Sequence, residues 1–251
     1  MDFYESISAH YDLIFPVDPG TVDFISGRTK PRSRILDLAC GTGGHSLALA
    51  EKGHRLTGID LDRDMIEAAR AKAQGLDLHT VFQVMDMLAM VEQLDPGFDL
   101  AFCIGNSLVH LESEEKIQRV LMDCHRLLNP GAMLILQIIN YDRILAKGIT
   151  SLPTLRDESV GLEFVRTYEL DPANNIVIFR TELRIGKEPD QQVILNQVPL
   201  RILKSEDLLG LAASAGFQGL QLFGGFDEKP FGIDTLPLIL CGYATPARSG
   251  L

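Results

Sequence analysis

The chain contains no tryptophan and only four cysteines, Cys40, Cys103, Cys124 and Cys241. The cysteines are scattered through apolar stretches, and no pair has the C-x-x-C spacing of a zinc site or a dithiol redox centre. Small buried thiols in a reducing compartment are the expectation, with neither a disulfide framework nor a metal site. Long apolar runs are missing too. None approaches the roughly 20 residues of a membrane span. The N-terminal MDFYESISAHYD has neither the basic region nor the apolar run of a signal peptide. A cytoplasmic protein with no membrane partner is expected. Basic residues are outnumbered: 23 Lys and Arg against 34 Asp and Glu give a formal net charge of −11. A field of that sign repels phosphate backbones, and no Lys/Arg run offsets it, so nucleic acid is not an expected partner.

The chain does have a core to build. At 251 residues, 46% hydrophobic and 23% charged, it predicts one globular domain over 1–251 that needs no covalent staple. Apolar runs at 34–39, 55–60, 81–85, 98–104 and 132–139 read as buried strands. Helical patterns at 44–52, 62–74 and 113–128 fall between them. Asp62 or Asp64 caps the second helix, and Gly53 and Gly75 stop the first two. Strand alternating with helix at this spacing predicts an α/β fold, a mostly parallel sheet with helices on both faces. The rhythm then changes. Three strand-like stretches near 161–170, 175–185 and 192–201, separated by turn signals at 171–175 and 186–192, predict an antiparallel meander inserted after the fifth strand. This insertion, at about 141–200, is expected to cap the substrate side. A last helix after Ser205 and a pair of strands at 217–225 and 236–244 close the chain.

The most informative stretch is DLACGTGGHS, residues 37–46, between the first strand and the first helix. Glycines there allow a tight turn and close approach of a ligand to main-chain N–H groups. As an imperfect G-x-G-x-x-G the spacing is weak evidence, since many strand-to-helix turns need glycine. Three acids strengthen it. Asp37 ends the first strand, a poor neighbour for pyrophosphate but a good one for a cation. Asp60 ends the second, where a carboxylate can accept both hydroxyls of a ribose. Asp86 ends the third, where it can accept from an exocyclic amine. Each alone could be a helix cap or a solvated loop charge. Together they mark the crevice at the carboxyl ends of parallel strands, where open α/β sheets bind ligands.

With DLACGTG (37–43), GIDLDRDMI (58–66), Asp86-Met87 and FDLAFCIGNSLVHL (98–111), the sequence resembles the class I S-adenosylmethionine-dependent methyltransferases. GNSLVHL (105–111) and the inserted meander resemble the glycine and sarcosine type of small-molecule N-methyltransferase. The resemblance implies a Rossmann-like seven-stranded sheet of order 3-2-1-4-5-7-6 with an antiparallel last strand. It implies S-adenosylmethionine as cofactor, with S-adenosylhomocysteine as product, and a small-molecule methyl acceptor. Residue by residue it implies that Asp37, Ala39, Gly41 and Gly43 line the methionine end. Asp60 would take the ribose hydroxyls, with Leu61 and Met65 beside the adenine. Asp86 would hold the adenine amine, Met87 would cover the ring, and Ile104 and Gly105 would close the site at the sulfonium. Tyr11 resembles a tyrosine that such enzymes fold over the cofactor; its other reading is a core aromatic.

Methyl transfer from a sulfonium is an in-line displacement, with the nucleophile held roughly 3–3.5 Å from the methyl carbon. It needs no metal. Asn106 and His110 follow the fourth strand, where Asn106 could orient an acceptor and His110 could take a proton. A histidine ending an apolar segment can equally be structural. The pattern does not select an arginine for a substrate carboxylate; Arg143, Arg166, Arg180 and Arg201 are the candidates, and each could be a surface residue. Two alternatives stand beside the enzyme reading. One is a non-catalytic S-adenosylmethionine-binding regulator. The other is an NAD-type dehydrogenase, against which Asp37 and the 33 residues before the first strand both argue.

Overall fold

The first strand, β1 (Arg34–Leu38), is buried on both faces, and this follows from its neighbours. It lies between β2 (Arg55–Asp60) and β4 (Phe98–Cys103), pairing parallel with both. The computed structural model describes residues 10–186, 189 and 191–246. Residues 1–9, and positions 187, 188 and 190 of the expected 186–192 turn, lie outside the described residues. Among the described residues two helices precede β1, α1 (Tyr11–Ile14) and α2 (Pro19–Ser26). Strand and helix then alternate through α3 (Gly44–Glu51), α4 (Arg63–Ala73), β3 (Thr80–Val84), α5 (Met90–Gln93), α6 (Glu114–Leu127) and β5 (Leu128–Ile139). Asp62 accepts from the N–H groups of Asp64 and Met65, so it is the residue that caps α4.

The insertion consists of α7 (Tyr141–Lys147) and the strands β6 (Ser151–Asp157), β7 (Leu162–Asp171), β8 (Ile176–Ile185) and β9 (Gln192–Arg201). The chain ends with α8 (Ser205–Ser214), β10 (Phe217–Phe223) and β11 (Pro237–Ala244). Seven strands form one sheet in the order β3-β2-β1-β4-β5-β11-β10, and β11 runs antiparallel to both of its neighbours. Counting only this sheet, the order is 3-2-1-4-5-7-6, as expected. β6–β9 form a separate antiparallel sheet of four strands, not three. The extra strand, β6, carries Pro153, which reads as a strand breaker. It is tolerated because β6 is an edge strand and its register with β7 shifts between Leu152 and Leu155.

Side-chain alternation divides the core in two. Leu36, Leu38, Ala101, Cys103, Leu134 and Leu136 enter one apolar cluster. Ile35, Leu100, Phe102, Met133 and Ile135 enter the other, with Phe24 and Ile25 of α2 and Leu49 of α3. Asp37 shares the second parity and so faces α3. Cys103, Cys124 and Cys241 are buried and Cys40 half-buried, all free thiols. Among the described residues, no helix is long and apolar enough to cross a membrane.

Candidate active site

The carboxyl ends of β1, β2 and β3 deliver Asp37, Asp60 and Asp86 to one edge of the sheet, and two adjoining cavities open there. The first, of about 370 Å³, holds Gly41, Asp60, Leu61, Met65, Asp86 and Met87. The second, of about 400 Å³, holds Asp37, Ile104, Gly105, Asn106 and, from the insertion, Arg166. Tyr11, Ala39, Ser107 and His110 belong to both and form the wall between them. Of the fourteen residues named above for the cofactor and for catalysis, only Gly43 lines neither. A Cβ on Gly43 would stand 2.8 Å from Phe82 and 2.9 Å from Ala69, and its φ is +74°. This glycine lets α3 pack closely on β3 and α4; spacing alone could not separate that need from a ligand's.

Asp37 is 2% exposed. Its Oδ2 accepts from the Ser46 hydroxyl in the first turn of α3 (2.7 Å). Burial pushes its carboxyl up to about 8, opposed by the Ser46 bond and reinforced by the charge of Asp60. Asp60 braces the glycine loop: Gly41 N–H donates to Oδ2 (2.8 Å) and Asp62 N–H to Oδ1 (2.9 Å). Burial raises this carboxyl too, against the pull of those amides. Asp86 accepts from Leu88 N–H (2.9 Å), a local cap that leaves its second oxygen open. Beside these acids, Leu61 is 69% exposed at the cavity rim, Met65 is buried beneath it, and Met87 is half-buried. Met85 and Met90 are core residues, though Met85 also reaches the cavity wall.

Tyr11 closes the site from above. A Cβ on Gly41 would stand 3.1 Å from its hydroxyl. The segment is tied down at both ends: Thr42 Oγ1 donates to Asp12 (2.6 Å), Lys72 pairs with Asp12, and Phe15 meets Phe164 of β7 edge-on at 6.0 Å. Burial, then the charges of Asp60 and Asp37, hold the Tyr11 hydroxyl protonated, well above its ordinary range. Asn106 stands at φ +68°, and its amide is engaged by the scaffold. Its Oδ1 accepts from Ile139 N–H (2.9 Å) and its Nδ2 donates to Tyr141 Oη (3.3 Å). The expected grip on an acceptor is thus largely committed to fixing the loop after β4 against β5. Gln137, which the sequence reading missed, does similar work: its Oε1 accepts from Gly105 N–H (2.7 Å) and it lines the second cavity. A polar residue at position 137 within the apolar run 132–139 was the available signal. His110 ends the short turn Ser107–His110. His45, in the first turn of α3, also reaches the second cavity, and burial lowers its imidazole.

These features fit an adenosyl cofactor. The first cavity offers a carboxylate with lone pairs to spare at Asp60, exposed apolar surface at Leu61, and an acceptor at Asp86. A buried acid at Asp37 awaits a cation. The comparisons agree. A family model described as a methyltransferase domain matches residues 35–131. A glycine/sarcosine N-methyltransferase of Aphanothece halophytica is 33% identical over 198 residues, covering 78% of this chain and 70% of that protein. One from Halorhodospira halochloris is 31% identical over 208 residues, covering 81% and 73%. In fold, an S-adenosylmethionine-dependent methyltransferase from Clostridium acetobutylicum superposes with a TM-score of 0.80 at 17% identity, covering 98% of this chain and 100% of that one. The chain belongs to the class I S-adenosylmethionine-dependent methyltransferases. S-adenosylmethionine is its cofactor, which removes the NAD-type reading.

Proposed function

We propose that this chain transfers the methyl group of S-adenosylmethionine to an amine nitrogen of a small molecule. The observation that carries the reading is the second cavity. It lies beyond Ile104 and Gly105, is bounded on the insertion side by Leu152, Arg166 and Phe179, and communicates with the first only past Tyr11, Ala39, Ser107 and His110. A space of about 400 Å³ suits a metabolite beside the methionyl group. The insertion 141–200 thus serves as the substrate-side cap. Nitrogen is favoured because both relatives above are N-methyltransferases.

In this reading Asp60 takes the ribose hydroxyls, Asp86 the adenine amine, and Leu61, Met65 and Met87 enclose the ring. Asp37, Ala39 and Gly41 face the methionine end, Ile104 and Gly105 the sulfonium, and Tyr11 covers it. The bound cofactor supplies an electrophilic methyl carbon. The protein's tasks are to hold the amine in line with it, exclude water, and accept the proton an ammonium must lose before its nitrogen can attack. His110, on the shared wall, is placed for that proton. Asn106 is a positioning residue that fixes the turn bearing His110. The carboxylates favour cofactor binding more than the chemical step, because the positive charge on sulfur disappears in the reaction.

The test is incubation with methyl-labelled S-adenosylmethionine and matched panels of small amines and their hydroxyl analogues, with products identified by mass spectrometry. N-methylated products are expected. Label in oxygen or carbon alone refutes amine transfer. Cofactor binding with no labelled product from any panel identifies a regulator instead.

A further inference from the structure

The inner and outer faces of the four-stranded insertion differ sharply. With period two, β7 sends Leu162, Phe164, Arg166, Tyr168 and Leu170 to one face and Glu163, Val165, Thr167 and Glu169 to the other. The outer face neutralises itself. Arg156 and Arg184 pair with Glu163 (2.7 and 3.0 Å), Arg184 also pairs with Glu182, and Arg180 pairs with Glu169 (2.5 Å). The inner face is mostly apolar, and Arg166 stands in a polar row of it, opposite Leu152 on β6 and Thr181 on β8, with Asn196 of β9 beyond Thr181. Leu162 and Phe164 are buried with Leu183, and Tyr168 is buried against Phe179.

Arg166 is a cation in that face that pairs with no carboxylate among the described residues; its guanidinium lies 5.7 Å from the centroid of the Phe164 ring. Its Nη2 donates to the Pro153 carbonyl (2.6 Å), an uncharged partner. Its Nε is buried with no hydrogen-bond partner, and so is the hydroxyl of Tyr168, the next residue on the same face. Burial pulls the guanidinium below the ordinary arginine value, and only the Tyr168 hydroxyl opposes that pull. A partly desolvated guanidinium gains when an anion meets it. Arg143 and Arg201 also bury an unpartnered Nε, but the surroundings of the other candidate arginines differ. Arg201 pairs with Glu114 (2.8 Å), Arg180 lies on the outer face, and Arg143 lines neither cavity described above. Arg166 alone of the four lines the second cavity, among Leu152, Phe179, Leu200 and Ile139.

We infer that Arg166 anchors a carboxylate of the methyl acceptor, and that the acceptor is an amine carrying both that carboxylate and an apolar body that fills the space against Leu152, Ile139, Phe179 and Leu200. The inference rests on the reading of the second cavity as the acceptor site. A monoanion suits it, because Asp12 and Asp18 in the same lining disfavour a more highly charged group. An acceptor as small as glycine would leave the apolar wall uncovered. Arg166 therefore determines specificity: it should govern which molecule is held, with little part in the transfer itself.

The test is calorimetric titration of the protein saturated with S-adenosylhomocysteine. The probes are L-leucine and L-phenylalanine, their amides, glycine, and the 2-hydroxy analogue of leucine. At least one of the two apolar amino acids is expected to bind about tenfold to a hundredfold more tightly than its amide, the worth of a charge-assisted contact. Glycine is expected to bind more weakly. Arg166→Gln should bring the acid-to-amide ratio to about one, and Arg166→Lys should restore part of it. Affinity for S-adenosylhomocysteine should stay constant in both variants, which also verifies that they fold. In turnover, Arg166→Gln should raise the acceptor's KM and leave kcat nearly unchanged. An unchanged ratio in Arg166→Gln overturns the inference, as does a panel in which neither acid outbinds its amide. Glycine binding as tightly as the larger acids overturns the apolar part. The outcomes separate this inference from the one beneath it. If the acids and the hydroxy acid bind through Arg166 but no nitrogen is methylated, amine transfer fails and the anion site stands. Amine methylation without carboxylate preference has the opposite meaning.

Discussion

Asp37 should make cofactor affinity depend on pH in a direction opposite to its effect on folding. In the ligand-free protein its carboxyl is pushed to about 8 from an ordinary 3.8, chiefly by burial. At pH 7 it is therefore about nine-tenths protonated, and ionising it costs about 1.4 kcal/mol per pH unit below its pKa. A sulfonium or ammonium within about 4–6 Å would return roughly 3–4 kcal/mol at an effective dielectric near 20. The Coulomb gain exceeds the cost, so binding the cation should drive the proton off. The ionised fraction rises from about 1% at pH 6 to about half at pH 8, and apparent affinity follows the competent fraction. S-adenosylmethionine should thus bind about fiftyfold more tightly at pH 8 than at pH 6, levelling above pH 8.

For folding, the sign reverses. The ligand-free native state holds a proton that the unfolded chain releases above 3.8. Asp37 therefore leaves stability intact below about pH 4 and erodes it as pH rises to about 8, and the cofactor should restore it. Titration calorimetry at pH 7 in buffers of different ionisation enthalpy should show release of about 0.9 proton per cofactor bound. S-adenosylhomocysteine, which lacks the sulfonium, should show a shallower slope. Asp37→Asn should bind weakly at pH 8 and show no slope. Affinity constant within threefold between pH 6 and 8, or an Asp37→Asn variant that keeps the slope, would refute the reasoning.

Asp60→Ala should weaken cofactor binding by about tenfold to a thousandfold, since it removes the proposed ribose acceptors and the brace on Gly41 N–H together; unchanged affinity in a folded variant would return Asp60 to a purely local role. Gly43→Ala should lower stability in urea by about 1–3 kcal/mol through its clash with Phe82 and Ala69. A neutral result there would mean that α3 shifts freely. His110→Ala should spare S-adenosylhomocysteine affinity and lower kcat by about 10²–10⁴-fold, and a variant with full turnover removes His110 from proton transfer.

The lining of the first cavity was readable because its residues follow from the backbone. The strands are short apolar runs, so the acids at or just beyond their carboxyl ends, Asp37, Asp60 and Asp86, could be located from the runs themselves. The strand order is different: it came from the resemblance, since periodicity says nothing about which strands are neighbours. α7 was missed although Asn140 caps it and Gly148 stops it at φ +59°, because seven residues burying only Tyr141 and Ile144 make too short a pattern. Asn106 shows another limit. A sequence places a polar side chain at a strand end but not the main-chain N–H, here that of Ile139, that will occupy it.

The acceptor side was less readable, for a reason that bears on function. Its wall is drawn from α1, the loop after β4, β5, β6, β7, β8 and β9, separated by up to about 190 positions, and no local motif can span them. Yet one signal was present: in Phe164-Val-Arg166-Thr-Tyr168 an arginine occupies a period-two row otherwise filled by large apolar and aromatic residues. Such a row faces a core or a cavity, and a core does not accept an unpaired guanidinium. Once the outer face is seen to satisfy its own charges, the inward arginine is left needing an external anion. In the proposed reading, cofactor recognition lies at strand ends that the sheet cannot move, while acceptor recognition rests on side chains of a separate sheet. Substitution at Arg166 or Leu152 should change what is methylated without disturbing what binds at Asp60.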